Sequence, residues 1–244
     1  MHCISIEVLG RLGLNRSVGN CNTMGCCVSG SLQLDLCPEE RAICTKEAAL
    51  GFQKHSAAYM AAVASAHATD KEIEEQSFRV LLAELGLSRK DLAQSDSPLS
   101  GMYGDLRNGK GCIDLVQFRL LAALLSRDST AERRRVLLDS VCSHSTRTLT
   151  AAQVHFLFDS IFALACSTLP ALALSSRTLD FPALQTYINR LQHAPVLATR
   201  YASLVLRDQQ DVTVEAAEMR LQQEDLLGRG AVGLRQAVFA SGLL

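Results

Sequence analysis

Four times between residues 73 and 191, an aliphatic residue is followed five positions later by an apolar anchor that opens an i, i+3, i+4, i+7 stripe. Ile73 leads to Phe78, Leu81, Leu82 and Leu85, and Ile113 leads to Phe118, Leu121, Ala122 and Leu125. Leu149 leads to Val154, Leu157, Phe158 and Ile161, and Leu179 leads to Leu184, Tyr187, Ile188 and Leu191. A stripe of this spacing is one face of an α-helix. The residues after the four aliphatics (Glu74, Asp114, Thr150 and Asp180) are of types that cap a helix or begin its first turn. One stripe says little, because every helical protein contains some. Four with one offset, stepping by 40, 36 and 30 residues, describe a repeated helix–loop–helix unit.

The rest of the composition agrees with an all-α fold. Hydrophobic residues make up 48% of the 244, yet only 8 Phe, 4 Tyr and no Trp are present, so Leu, Ala and Val must fill the core. A formal net charge of −1 gives no general attraction to a polyanion, which disfavours bulk nucleic-acid binding. No run of 18 uncharged apolar residues provides a transmembrane candidate. Arg11 and Arg16 interrupt the apolar start instead of preceding it, a poor pattern for a secretory signal. The 9 cysteines therefore read as thiols and not as a disulfide frame.

Six of those cysteines (Cys3, Cys21, Cys26, Cys27, Cys37 and Cys44) crowd the first 44 residues. Among them sits Met24-Gly25-Cys26-Cys27-Val28-Ser29, the M-G-x-x-x-S pattern for acylation of a glycine amine. Gly25 is internal here, so the pattern requires a start at Met24 or removal of residues 1–23. One myristoyl chain binds a membrane only marginally; Cys26 and Cys27 offer thiols for a second, palmitoyl anchor. Residues 1–37 are accordingly expected to be a disordered leader carrying lipidation sites at Gly25, Cys26 and Cys27.

Gly111-Cys112-Ile113-Asp114-Leu115-Val116-Gln117-Phe118 resembles the second half of an EF-hand: a turn glycine, a central aliphatic, then an acid and a phenylalanine entering the exit helix. Ile73-Glu74-Glu75-Gln76-Ser77-Phe78 and Leu179-Asp180-Phe181-Pro182-Ala183-Leu184 are similar, with shorter matches. The resemblance covers about residues 50–193. It implies that loops pair through a short β-bridge at the aliphatic, Ile73 with Ile113 and Leu149 with Leu179. The expected organisation is a first lobe over 38–128, a second over 129–194 and a helical tail over 195–244. An acylated glycine ahead of four such units is similar to the layout of neuronal calcium sensors and calcineurin-B-like proteins. A fainter resemblance is to the EF-hand-like amino-terminal half of TLDc-domain proteins.

The loops themselves are poor in calcium ligands. With the aliphatic at loop position 8, the coordinating glutamate position holds Ser77, Gln117, Gln153 or Ala183. The second loop comes nearest, with Asp105, Asn108 and Asp114 as its oxygen donors. The expectation is a kept scaffold without a cofactor, calcium being disfavoured.

No enzymatic constellation emerges. Gly104-Asp105-Leu106-Arg107-Asn108-Gly109-Lys110-Gly111 nearly matches a phosphate loop, but lacks the hydroxyl residue and the strand before it. Cys142 and His144 do not complete a zinc set. Arg133-Arg134-Arg135 reads as a solvated helix face. The sequence thus points to a non-enzymatic, lipid-anchored adaptor at the cytoplasmic face of a membrane, or in the cytoplasm if residues 1–23 are retained. Its partner is a protein offering an amphipathic helix, with no nucleic acid. Phe78, Leu82, Phe118, Leu121, Phe158, Phe162 and Ile188 are the expected groove lining, with apolar Leu234 to Leu244 as its plug. A low-affinity calcium sensor and a helical subunit of a larger assembly are the alternatives.

Overall fold

A computed structural model of the chain describes residues 36–87, 97–142, 147–174, 181–224 and 230–242. The fold is all-α, as expected. Helix α1 (Pro38–Ala49) opens with proline at its first turn and Glu39 and Glu40 facing the positive end of the helix dipole. Four helix–loop–helix units follow, each with a short strand in its loop. The first is α2 (Ala57–His67), β1 (Glu72–Ile73) and α3 (Glu75–Glu84). The second is α4 (Pro98–Leu106), β2 (Ile113–Asp114) and α5 (Leu115–Leu125). The third is α6 (Thr130–Val141), β3 (Thr148–Thr150) and α7 (Ala151–Ala163). A π-helical turn (Leu164–Thr168), α8 (Leu169–Leu174) and α9 (Phe181–Arg190) come next. The fourth unit is α10 (Ala194–Leu206), β4 (Asp211–Thr213) and α11 (Val214–Glu224), after which α12 (Gly230–Ala240) ends the described chain.

The loops pair through their strands. β1 and β2 are antiparallel, with Ile73 opposite Ile113, as the resemblance implied. β3 and β4 are antiparallel with Leu149 opposite Val212. This corrects the second pairing: the partner of Leu149 is Val212, whereas Leu179 and Asp180 lie outside the described residues. The second pair of units therefore uses α10 and α11, and the expected boundary at residue 194 falls where its last unit begins. The tail expected to be helical over 195–244 contains α10, α11 and α12 among its described residues.

The two pairs repeat one backbone scheme. Lys71, two residues before Ile73, offers its carbonyl to the Leu115 amide at 2.9 Å; Arg147, two before Leu149, offers its own to the Val214 amide at 3.0 Å. Backbone φ is positive two residues before three of the four aliphatics: Lys71 at 66°, Gly111 at 82° and Arg147 at 48°. The residue after the aliphatic then caps the exit helix in three units. Asp114 Oδ1 accepts from the Gln117 amide at 3.0 Å, Thr150 Oγ1 from Gln153 at 3.3 Å and Thr213 Oγ1 from Ala216 at 3.2 Å.

One contiguous core joins the units. Ile73, Ile113 and Leu149 are fully buried at the two bridges, and Phe78, Phe118, Phe158 and Phe162 lie beside them with no more than 1% exposed. Phe118 packs on Phe52 and Phe78, at ring-centroid distances of 5.9 and 6.1 Å. Phe158 and Phe162 both stack on Tyr201 of α10. The run Ala151–Leu174 is long and apolar enough to cross a membrane by length and composition, with a mean hydropathy of 1.7. It carries Asp159, and 61% of its most apolar window is buried inside the fold.

Arg133 and Arg134 also depart from expectation. Both are buried, while Arg135 is exposed. The Arg133 guanidinium donates to the carbonyls of Ala123, Ser126 and Asp128 at 3.0 to 3.1 Å, closing the carboxy-terminal end of α5. A cation there satisfies orphan carbonyls and meets the negative end of the helix dipole.

Candidate functional site

Two carboxylates on α1 and one guanidinium on α12 meet inside the protein. Glu40 and Glu47 are seven residues apart, so both fall on one face of α1, with Ile43 between them. All three are buried. Opposite them stands Arg235, fully buried among Ala231, Leu234 and Val238 of α12. Its Nε and Nη2 donate to Glu40 Oε1 at 2.9 and 2.7 Å, and Nη1 donates to Glu47 Oε1 at 2.7 Å. Nη1 also donates to the carbonyl of Ala165 at 2.9 Å, within the π-helical turn. Such turns are inserted into α-helices at few places, frequently functional ones. The Tyr187 hydroxyl of α9 donates to Glu40 Oε2, and the Tyr187 ring packs against Phe239 at 4.7 Å.

The electrostatics follow from that geometry. Burial alone would pull the Arg235 guanidinium down, but Glu47 and Glu40 more than offset it and hold the group well above its usual value. Burial, reinforced by the Glu40 carboxylate, pushes the Tyr187 phenol up. Burial likewise pushes the Cys166 thiol up to about 12, against the pull of Arg235. Near neutral pH the Arg235 guanidinium is thus held charged, and the Tyr187 phenol and Cys166 thiol are held protonated. The chemistry of the cluster is recognition: a buried cation that demands carboxylates in a set geometry.

Beside the network, a cleft of about 750 Å³ runs between α1, α9 and α12. Leu36, Ala183, Tyr187, Phe239 and Ala240 give it apolar walls, and Glu39 and Arg190 stand among its lining residues.

The residues expected to act are distributed differently. Gly25, Cys26 and Cys27 lie outside the described residues. Phe78, Leu82, Phe118, Leu121, Phe158 and Phe162 are core and line no open groove, since none is more than 1% exposed. The helix pairs close over these side chains, and α12 packs on α5 and α7, which carry four of them. Ile188 alone lies elsewhere, half-buried against the small cluster of Ile43, Ala173 and Leu184 beneath α1. Asp105, Asn108 and Asp114 are not gathered into a ligand set. Asn108 Oδ1 accepts from the amides of Lys110 and Cys112, Asp114 caps α5, and Asp105 sits exposed at the end of α4. Partial burial raises the Asp105 carboxyl above the usual range. Among the described residues, no three His, Cys, Asp or Glu side chains are placed to hold a metal.

Instead, each loop pair is tied by a cation of the protein itself. Lys110 Nζ lies 3.1 Å from Glu72 Oε1 across the first pair, and Asn108 Nδ2 donates to the same oxygen. Arg147 Nε lies 3.0 Å from Glu215 Oε1 across the second. Nothing in the apolar stretch Leu234 to Leu244 marks its one arginine, Arg235, as a buried partner. The detectable signal was the Glu40, Glu47 pair, whose spacing puts two acids and an isoleucine on one helix face.

Comparison with protein families, with curated proteins and with solved structures gave no match.

Proposed function

We propose that this chain is a non-enzymatic, lipid-anchored adaptor built on degenerate EF-hand-like units, which binds a partner helix or protein at the cytoplasmic face of a membrane. The observation that carries the reading is the repeated loop geometry. A left-handed residue, an aliphatic bridge and a capping residue recur in register, with Ile73 opposite Ile113 and Leu149 opposite Val212. That order matches the layout that the motif around Ile113 resembles. In that layout Lys110 occupies a ligand position, and its ammonium engages Glu72 in the neighbouring loop. A scaffold held this way presents helix surfaces without needing an ion to set them.

The anchor rests on Met24-Gly25-Cys26-Cys27. Cell fractionation of the full chain and of Gly25→Ala, together with the intact mass of the native protein, tests it. The expected result is an acylated species at the membrane and release of Gly25→Ala to the soluble fraction. Native protein that keeps residues 1–23 and a location indifferent to Gly25→Ala would overturn the anchor.

A further inference from the structure

Helix α1 is attached to the body in an unusual way. Its inward face is Glu40, Ile43 and Glu47, two carboxylates around a single aliphatic side chain. Ile43 does not join the main core; it forms a separate small cluster with Ala173 of α8 and Leu184 of α9. Along the helix itself the rest of the grip is ionic and comes from Arg235, with Tyr187 holding Glu40 from the other side, while Leu50 and Phe52 just past its end enter the main core. Buried ion pairs add little net stability compared with apolar packing, but they are exacting about geometry. α1 is therefore held selectively more than strongly. A cleft of about 750 Å³ opens along its edge between α1, α9 and α12.

We propose that the seat of α1 is a helix-binding site, occupied in cis by α1 and able to exchange it for a partner helix with the pattern Glu-x-x-Ile-x-x-x-Glu. The occupant is fixed by charge complementarity. Arg235 is completely buried, and among the described residues the carboxylates it meets are those of Glu40 and Glu47. A neutral or basic helix would leave that cation stranded away from water, and an acidic helix lacking the central aliphatic would leave Ala173 and Leu184 uncovered. The seat thus selects helices that are acidic at two positions seven apart and aliphatic between them. This deepens the adaptor reading by naming the partner class and its site, and for its cellular meaning it rests on that reading.

The test uses a fluorescent peptide of residues 36–50, kept reduced, as the probe against the full chain. In the wild type, α1 competes in cis at an effective concentration on the order of millimolar. The Glu40→Gln/Glu47→Gln chain, whose own α1 no longer satisfies Arg235, should bind the peptide at least tenfold tighter than the wild type does. A peptide with the same two Gln replacements should bind that chain at least tenfold more weakly, and an Arg235→Met chain should lose the preference between the two peptides. Hydrogen exchange on the unaltered protein is the second arm, independent of whether the variants fold. Amides of α1 should exchange at least tenfold faster than those of α2, α5 and α7, through an opening that leaves the latter protected. Equal binding of both peptides, or exchange of α1 only together with α5 and α7, would overturn the proposal. Since neither arm involves a membrane, these results are separate from failure of the anchor, which fractionation reads.

Discussion

Arg235 on the last described helix and Glu40 on the first share three hydrogen bonds of 2.7 to 3.1 Å, with their side chains 0% and 3% exposed. Through this contact the helix nearest the lipidation motif is joined to the helix that ends the described chain. Removing one member leaves the others charged, buried and unpaired, which typically costs about 3–5 kcal/mol. Arg235→Met should therefore lower unfolding stability by about that amount in a denaturant titration. Replacing the whole network with apolar groups (Glu40→Leu, Glu47→Leu, Tyr187→Phe and Arg235→Met together) should restore stability to within about 1 kcal/mol of the wild type. If the single and the combined variants are equally unstable, the network is not an ionic clamp.

Lys71 is exposed and holds a left-handed backbone at φ 66°, where an L side chain crowds its own carbonyl. Glycine removes that crowding, although it adds freedom to the unfolded chain. Lys71→Gly should stabilise by about 0.5–1 kcal/mol, and Lys71→Ala should not. Thermal melts of the two variants side by side decide the matter.

Gly230 begins α12 at φ 59°, and a Cβ there would sit 2.4 Å from the carbonyl oxygen of Leu124. That oxygen belongs to backbone at the end of α5 and has no side-chain freedom to move away. Gly230→Ala should destabilise by about 1–3 kcal/mol. It should also raise hydrophobic-dye binding, since α12 would lift from α5 and α7. A dye-silent variant of wild-type stability would show that α12 is not seated as described.

Alkaline pH should weaken the fold in a defined direction. The Cys166 thiol is raised from its usual 9.0 to about 12, so folding favours its protonated form. That contribution is fully present below pH 9 and is lost as pH climbs toward 12. Tyr187, raised by burial and by Glu40, adds loss of the same sign above its ordinary pKa of about 10. Denaturant titrations at increasing pH should show Cys166→Ala losing less stability than the wild type across that window. Identical pH slopes would remove Cys166 as a cause.

The parts of the fold visible in the sequence are those where a large apolar anchor marks the unit, as Phe78, Phe118 and Val154 do. Phe78 and Phe118 follow Ile73 and Ile113 by five residues, and those two loops pair as expected. The fourth unit escaped because its anchor is Ala217, small enough to pack closely but too common to signal anything. Leu179 with Leu184 showed the same offset by chance: Leu184 is buried in α9, inserted between the third and fourth units, against Ile43 of α1. Capping was better legible, since Asp114 and Thr150 cap as their types predict. Six of the seven expected groove residues are core instead of rim, because periodicity identifies a buried face but not what covers it. Charge inside a fold is less visible still. The spacing of Glu40 and Glu47 puts two acids on one helix face, but nothing in a sequence names the cation that meets them until the fold brings Arg235 against them.

The central claim is that the paired loops are held by the protein's own side chains and not by calcium. Lys110–Glu72 and Arg147–Glu215 are solvent-screened pairs that contribute little, so they assist loops whose stability comes from the buried bridges. Calorimetric titration of the full chain with calcium, repeated with magnesium and accompanied by thermal melts, tests this most directly. The prediction is no binding heat and an unchanged melting temperature at millimolar calcium. A site filled at 100 times its dissociation constant would stabilise the fold by about 2.7 kcal/mol, and a stoichiometric, calcium-specific heat with an upward shift of several degrees would contradict the account.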